Sequence, residues 1–293
     1  MTTIINKEDI SKFKKDGYIH VKNFFSDQEV NNFLKGIEKK SFFIKNENID
    51  RSVDIEEHWD FICHKKMLEF IRSLIGSKIY YLHTANLLSD SIIEKSNITW
   101  HRDNPCRRTG FGPDWDTKEK YDVVSSIVYL TETDSSLNVI KKSHFKNYQF
   151  SISNILRIID SRLRNIKKLN FLKKIIKKII GKDLNYKNGD LIVFYTTLYH
   201  ARSASKKETN SYRSAFISRY GAGSSHTKNY LNYEMNYRQG LEKYKISKKK
   251  DIFFQKLIDN DIYMSPQITK ETINNVFVPA DKDGDSIYIK DKT

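Results

Sequence analysis

Only two of the 293 residues are cysteine, four are proline and eleven are glycine. Cys63 and Cys106 are too few for a disulfide framework, so a reducing compartment is the default. So little proline and glycine excludes collagen-like, linker-rich and low-complexity architectures. No apolar run approaches the roughly 20 residues that cross a bilayer. The start, MTTIINKEDI, has no basic stretch followed by an apolar one, so no secretory signal is expected. The expected location is therefore cytoplasmic. Aromatic residues are plentiful, with 17 Tyr and 17 Phe, which points to a globular chain with a large core. Acidic residues are in the minority, 36 against 51 Lys and Arg, for a net charge of +15.

That imbalance is local. Between Phe145 and Asn185 there are 11 Lys and Arg against two Asp, a net +9. A concentration of this kind points to an anionic partner or surface, with a solvated basic face as the alternative. Within it, Phe171, Leu172, Ile175, Ile176, Ile179 and Ile180 alternate with Lys173, Lys174, Lys177 and Lys178. The run from Asn154 to Gly181 reads as an amphipathic helix with one apolar and one basic stripe. It interrupts a β pattern, so 145–185 is expected to be an insertion within a single domain spanning 1–293. Three roles are open: packing on the sheet, lying on an anionic membrane surface as a peripheral element at the inner face, or closing as a lid over a charged substrate or carrier. Nucleic acid is disfavoured as a partner, because the charge sits on one insertion and no nucleic-acid motif is present.

Around the insertion, residues 7–40 read as helix, strand, helix. KEDISKFKKDG is a short amphipathic helix stopped by Gly17, YIHVKNFF alternates like a strand, and Ser26-Asp27-Gln28-Glu29 has the form of a helix start. Ile49 to Ile75 is a second helical region. Strand-like runs follow at Lys78–Leu88, Ile98–His101, Asp122–Thr131, Asn138–Ile140, Leu191–Tyr195 and Tyr212–Tyr220. The predicted fold is mainly β with flanking helices, a β-sandwich or jelly roll behind an N-terminal helical layer. Asp281 to Asp285 resembles part of a calcium loop but lacks its closing Glu, and reads as a turn.

Two His-x-Asp triplets occur, His58-Trp59-Asp60 and His101-Arg102-Asp103. Residues i and i+2 share one side of a strand but diverge on a helix. His58 sits in a helical run and is expected at its surface, unable to chelate with Asp60. His101 ends a strand-like run before Asn104-Pro105, so His101 and Asp103 can face one point. Two imidazoles and one carboxylate can occupy one face of Fe(II), leaving the rest for a co-substrate and dioxygen. The second imidazole is predicted to be His200, at the end of the buried run LIVFYTTLYH. Arg213 alternates with apolar neighbours, so it is expected to point inward, where an anion must justify its burial.

These pieces together resemble the phytanoyl-CoA dioxygenase-like family of Fe(II)- and 2-oxoglutarate-dependent oxygenases. The resemblance is carried by FKKDGYIHVKNFFS, the WHRD box, LNVIKKSH, GDLIVFYTTLYHARSAS and YRSAFISRY, in consistent order from about Ile10 to Tyr220. It implies a double-stranded β-helix, the cupin-like jelly roll. It implies a metal triad of His101, Asp103 and His200, with Arg213 and, more weakly, Asn86 contacting 2-oxoglutarate. Fe(II), 2-oxoglutarate and O2 are the implied cofactors, with succinate and CO2 released. Related halogenases lack the carboxylate that Asp103 supplies, so hydroxylation is expected, with desaturation or ring closure open. The chain departs from the family pattern at Lys141-Lys142, where Pro-Gly is usual, and at Arg202, where smaller residues are frequent. These changes, with Arg102, suggest a small or carrier-linked anionic substrate. The competing expectation is a non-catalytic β-sandwich that binds an anionic ligand or membrane surface through its basic insertion.

Overall fold

Strands that alternate in sequence need two different environments, and the computed structural model supplies them. It describes residues 5–38, 56–89, 98–103, 120–131, 136–163, 166–202, 213–227 and 249–263. The N-terminal layer comprises α1 (Lys7–Asp16), β1 (Tyr18–Val21), α2 (Asp27–Glu38), α3 (Glu56–Ile62) and α4 (Lys65–Ile75). The strands β2 (Ile79–Ser89), β3 (Ile98–His101), β4 (Val123–Tyr129) and β5 (Leu137–Val139) follow. After α5 (Ile152–Arg162) and α6 (Asn170–Ile180) come β6 (Lys182–Leu184), β7 (Leu191–Tyr195), β8 (His200–Arg202) and β9 (Arg213–Gly221). The described chain closes with α7 (Lys250–Asp259) and β10 (Ile262–Tyr263).

The strands form two sheets, one ordered β1-β7-β4-β9-β2-β10 and the other β3-β8-β5-β6. Every pairing is antiparallel except that of β10 with β2. Successive residues of the larger sheet point to opposite layers, as a period of two requires. Leu191, Val193, Tyr195, Val124, Val128, Phe216 and Tyr220 join the core beneath the helices. Ile192, Phe194, Ile127, Tyr129, Ala215 and Ile217 fill the layer between the sheets. This is the expected mainly-β jelly roll with its helical layer. β7 is buried on both faces, which is why its sequence is continuously apolar instead of alternating.

Local sequence chemistry sets the joints. Ser26 and Glu29 form a reciprocal capping box, each side chain accepting from the other's backbone N–H at 3.3 and 2.7 Å. Gly17 caps α1 at φ +89°, and a Cβ there would lie 2.4 Å from His144 Nδ1 and 2.7 Å from Leu198 Cδ1. The Asn188–Asp190 turn is held by Asp190, which accepts from the backbone N–H groups of Asn23 and Lys187 at 2.8 and 3.0 Å.

Three expectations change. The second helical region is two helices, broken at Cys63-His64. The insertion also holds two helices, α5 and α6, where the sequence reads as one. His58 is buried, not at the surface: it lies edge-on to Phe216, with ring centroids 4.7 Å apart, because α3 turns that side onto the larger sheet. Asp60 diverges from it, exposed and paired with Lys256, so the two do not chelate. Cys106 and the Asp281–Asp285 turn lie outside the described residues.

Two stability predictions follow from the joint at Gly17. Gly17→Ala combines a left-handed backbone with a steric clash, and should cost about 2–4 kcal/mol, read as a lowered midpoint in denaturant. Burial lowers the His144 pKa to about 4, although its Nε2 lies 3.1 Å from the Lys14 carbonyl. The folded state thus binds fewer protons at His144 than the unfolded state. Its full contribution is present above about pH 6.5 and is lost as the pH falls toward 4, a change of about 3 kcal/mol. That acid-side slope should flatten in His144→Gln, measured by denaturant titrations at successive pH values.

Candidate metal centre

The strand end proposed for His101 sits directly opposite the strand start that carries His200. β3 and β8 pair antiparallel with His101 and His200 as Cα partners, and their rings lie 4.2 Å apart. Asp103 follows two residues after His101, in the bend that ends β3. Its Oδ1 lies 3.5 Å from His200 Nε2 and 3.9 Å from His101 Nε2. The three ligand-capable atoms fall within 4.8 Å of one another.

The two carboxylate oxygens have separate partners. Oδ2 accepts from Ser125 Oγ at 2.8 Å and pairs with an Arg219 guanidinium nitrogen at 3.3 Å. Oδ1 faces the imidazoles. Ser125 and Arg219 are themselves register partners on β4 and β9, on the face turned toward the smaller sheet. Burial alone would raise the Asp103 pKa, but Arg219, together with the two imidazoles when they are protonated, outweighs it and holds the carboxyl well below the usual range. The group is an anion at neutral pH.

His200 supplies the test of fit. Its Nδ1 lies 3.1 Å from the Leu198 carbonyl, which can only accept, so a neutral ring carries its proton there. The Nε2 lone pair then faces a carboxylate oxygen in a buried setting. Two acceptors left face to face away from water repel each other; a cation between them removes the conflict. Ligand atoms around a first-row divalent ion sit about 3 Å apart; here they lie within 4.8 Å of one another, so a bound ion would draw them closer. Side-chain exposure is 6% for His200 and 12% for Asp103 but 38% for His101, so the centre opens on the His101 side. The residues present fit a divalent metal.

The strands bearing the triad are tied from behind. Ser143 is fully buried; its hydroxyl accepts from the Tyr199 backbone N–H at 2.8 Å, and its carbonyl accepts from Arg102 at 2.8 Å. Arg102 and Arg157 both stack on the Tyr199 ring, 3.9 and 4.1 Å from its centroid. Arg202 is buried on β8, opposite Ile98 and Leu137. Asn86 and Arg213 lie on β2 and β9, opposite Phe216 and Ser89, and their side chains lie outside the described residues. A broad surface cleft lined by Asn23, Glu29, His64, Lys66 and Asn188 shares none of these residues. Sequence reasoning missed Ser125 and Arg219. The alternation from which an inward Arg213 is expected applies equally to Arg219, six residues along the same strand.

Comparison with known proteins bears on the fold that carries these residues. Residues 13–151 match the phytanoyl-CoA dioxygenase (PhyH) family. The matched span contains His101 and Asp103, and bears out that resemblance. No curated protein matches the sequence. Among solved structures, HygX from Streptomyces hygroscopicus with nickel and 2-oxoglutarate bound is similar at a TM-score of 0.53 and 16% identity, covering 75% of this chain and 88% of that one. Its iron-bound form gives 0.53 and 18%, covering 74% and 87%. SnoN, the non-heme α-ketoglutarate-dependent epimerase of nogalamycin biosynthesis, gives 0.52 and 13%, covering 74% and 83%. At such identities the likeness shows the fold, which is that of the PhyH-like non-heme oxygenases.

Two substitutions test the centre. His200→Ala should abolish stoichiometric binding of Fe(II), or of Co(II) as an air-stable probe, in anaerobic calorimetry. Ser125→Ala removes one of the two partners of Asp103 Oδ2 and should weaken the metal about tenfold while leaving the stoichiometry at one.

Proposed function

We propose that this chain is an Fe(II)- and 2-oxoglutarate-dependent dioxygenase that hydroxylates a small or carrier-linked anionic substrate. The observation that carries the reading is the convergence of His101, Asp103 and His200 at the open end of a PhyH-like jelly roll. When bound, the iron with 2-oxoglutarate and O2 would supply oxidative decarboxylation of the co-substrate to succinate and CO2, and the oxidising power to attack a C–H bond.

The chain's own residues then have definable tasks. Asp103 offers Oδ1 to the metal because Ser125 and Arg219 occupy Oδ2. Leu198 fixes the His200 tautomer so that Nε2 is free to ligate. Arg219 cancels the charge of Asp103, so a divalent ion would leave two positive charges at the centre. A dianionic ligand matches that excess. Arg213 is proposed to hold its distal carboxylate in a bidentate pair, with Asn86 as a further contact. Arg102 and Arg202 flank the triad on its two strands and are proposed contacts for the substrate anion. Arg102 would have to release Ser143 or the Tyr199 face to serve.

Hydroxylation is the outcome that Asp103 favours, since it leaves no ligand position for a halide. Similar folds support other outcomes: SnoN is an epimerase and SnoK a carbocyclase. The second reading is a non-catalytic sandwich that binds an anionic ligand or surface through the basic helices. Anaerobic addition of Fe(II) and 2-oxoglutarate separates the two. The oxygenase should develop a weak visible charge-transfer band, absent in His101→Ala and diminished in Arg213→Ala. No band and no bound iron in the wild type would leave the second reading standing.

A further inference from the structure

Exposed large apolar side chains are concentrated on one element of this fold. Among the described residues thirteen are exposed, and eleven of them lie between Phe145 and Ile179. On α5 the exposed positions are Ile152, Ile155 and Ile159, at helical spacings of three and four. On α6 they include Phe171, Ile175 and Ile179, each four apart. Phe150, Ile152 and Phe171 are 82, 76 and 75% exposed.

These positions are distinct from the ones that attach the helices to the protein. Ile176 and Ile180 are buried with Trp100, Ile140, Tyr148 and Ala201, and Leu156 and Leu163 pack against the same cluster. On the helical wheel of α6, the stripe of Phe171, Ile175 and Ile179 lies between that buried face and the exposed Lys174 and Lys178. The helix therefore has an anchored face, a bare apolar face and a lysine edge. The whole 145–185 segment carries a net +9.

From this surface we propose that α5 and α6 dock on a bilayer containing anionic phospholipid, with the apolar stripes entering the acyl boundary and the lysines meeting headgroup phosphates. Each alternative occupant satisfies only half of the surface. Nucleic acid takes the charge but leaves the isoleucines and phenylalanines in water. A second copy covers the apolar stripe but brings its own +9 against the first. An anionic lipid surface takes both at once.

The docking element is seated on the metal-bearing strands. Trp100 precedes His101, Ala201 follows His200, and both belong to the cluster that holds α6. Arg157 of α5 stacks on Tyr199, the neighbour of His200. Docking would therefore set the strands of the metal centre close to the lipid. The inference rests on the helix surface alone and stands apart from the chemistry at the triad.

The test is flotation of the full chain with vesicles of phosphatidylcholine alone, or with about one-third phosphatidylglycerol. Binding to the anionic vesicles should exceed binding to the neutral ones about tenfold or more. It should fall about tenfold in F171S/I179S and again in K174E/K178E, each with an unchanged thermal midpoint. Absence of binding to anionic vesicles overturns the proposal, as does binding that F171S/I179S leaves intact. A patch used for self-association would show instead as a lower sedimentation coefficient for F171S/I179S without lipid, which also overturns it. The Fe(II)–2-oxoglutarate band, read on the same variants, separates loss of docking from failure of the oxygenase reading.

Discussion

A buried carboxylate must be compensated, and the compensation of Asp103 is what joins the two sheets at the candidate metal centre. Asp103 follows β3 in the smaller sheet; Ser125 and Arg219 stand on β4 and β9 of the larger one. The ion pair therefore spans the jelly roll. An unpaired charge at this depth would instead protonate, and a neutral acid is a poor metal ligand. Because Arg219 and Ser125 both engage Oδ2, the other oxygen is aimed at His101 and His200. Charge neutralisation and ligand orientation are thus one arrangement, set by a register pair on adjacent strands.

The strands that sequence periodicity located best are those whose environment is extreme. Leu191–Tyr195 is buried on both faces, and Ile98–His101 is bounded by its neighbours' polarity; both were legible to the residue. The short strands Lys182–Leu184, His200–Arg202 and Ile262–Tyr263 were not, because two or three residues carry no period. β8 matters most among these. His200 reads as the end of one buried run, yet it begins a separate strand, and strand pairing is what places it opposite His101. The His101–Asp103 pairing was legible because the constraint on i and i+2 is local. Ser125 and Arg219 were obscured because their role depends on which strands become neighbours. His58 was misplaced for a related reason: a polar residue on an amphipathic helix gives no sign that the covering sheet offers an aromatic edge to receive it.

Lys141-Lys142 shows how a family departure can be absorbed by local geometry. Lys142 adopts φ +63°, the left-handed region that favours glycine, the residue the resemblance leads one to expect there, at a conformational cost of about 1 kcal/mol. Its N–H donates to the Asp16 carbonyl, and Lys141 pairs with the Asp16 carboxylate at 3.1 Å. The pair thus fastens the turn to the end of α1, beside the Gly17–His144 contact. From sequence, these lysines count as added positive charge near the entrance. In the structure Lys141 is already answered by Asp16. The positive charge left to meet an anionic substrate or surface is then that of Arg102, Arg202, the α5 arginines Arg157 and Arg162, and the α6 lysines. The α6 lysines share their helix with a bare apolar stripe, and both helices are rooted beside His101 and His200. Any anion that this charge attracts would arrive next to the open side of the candidate metal centre.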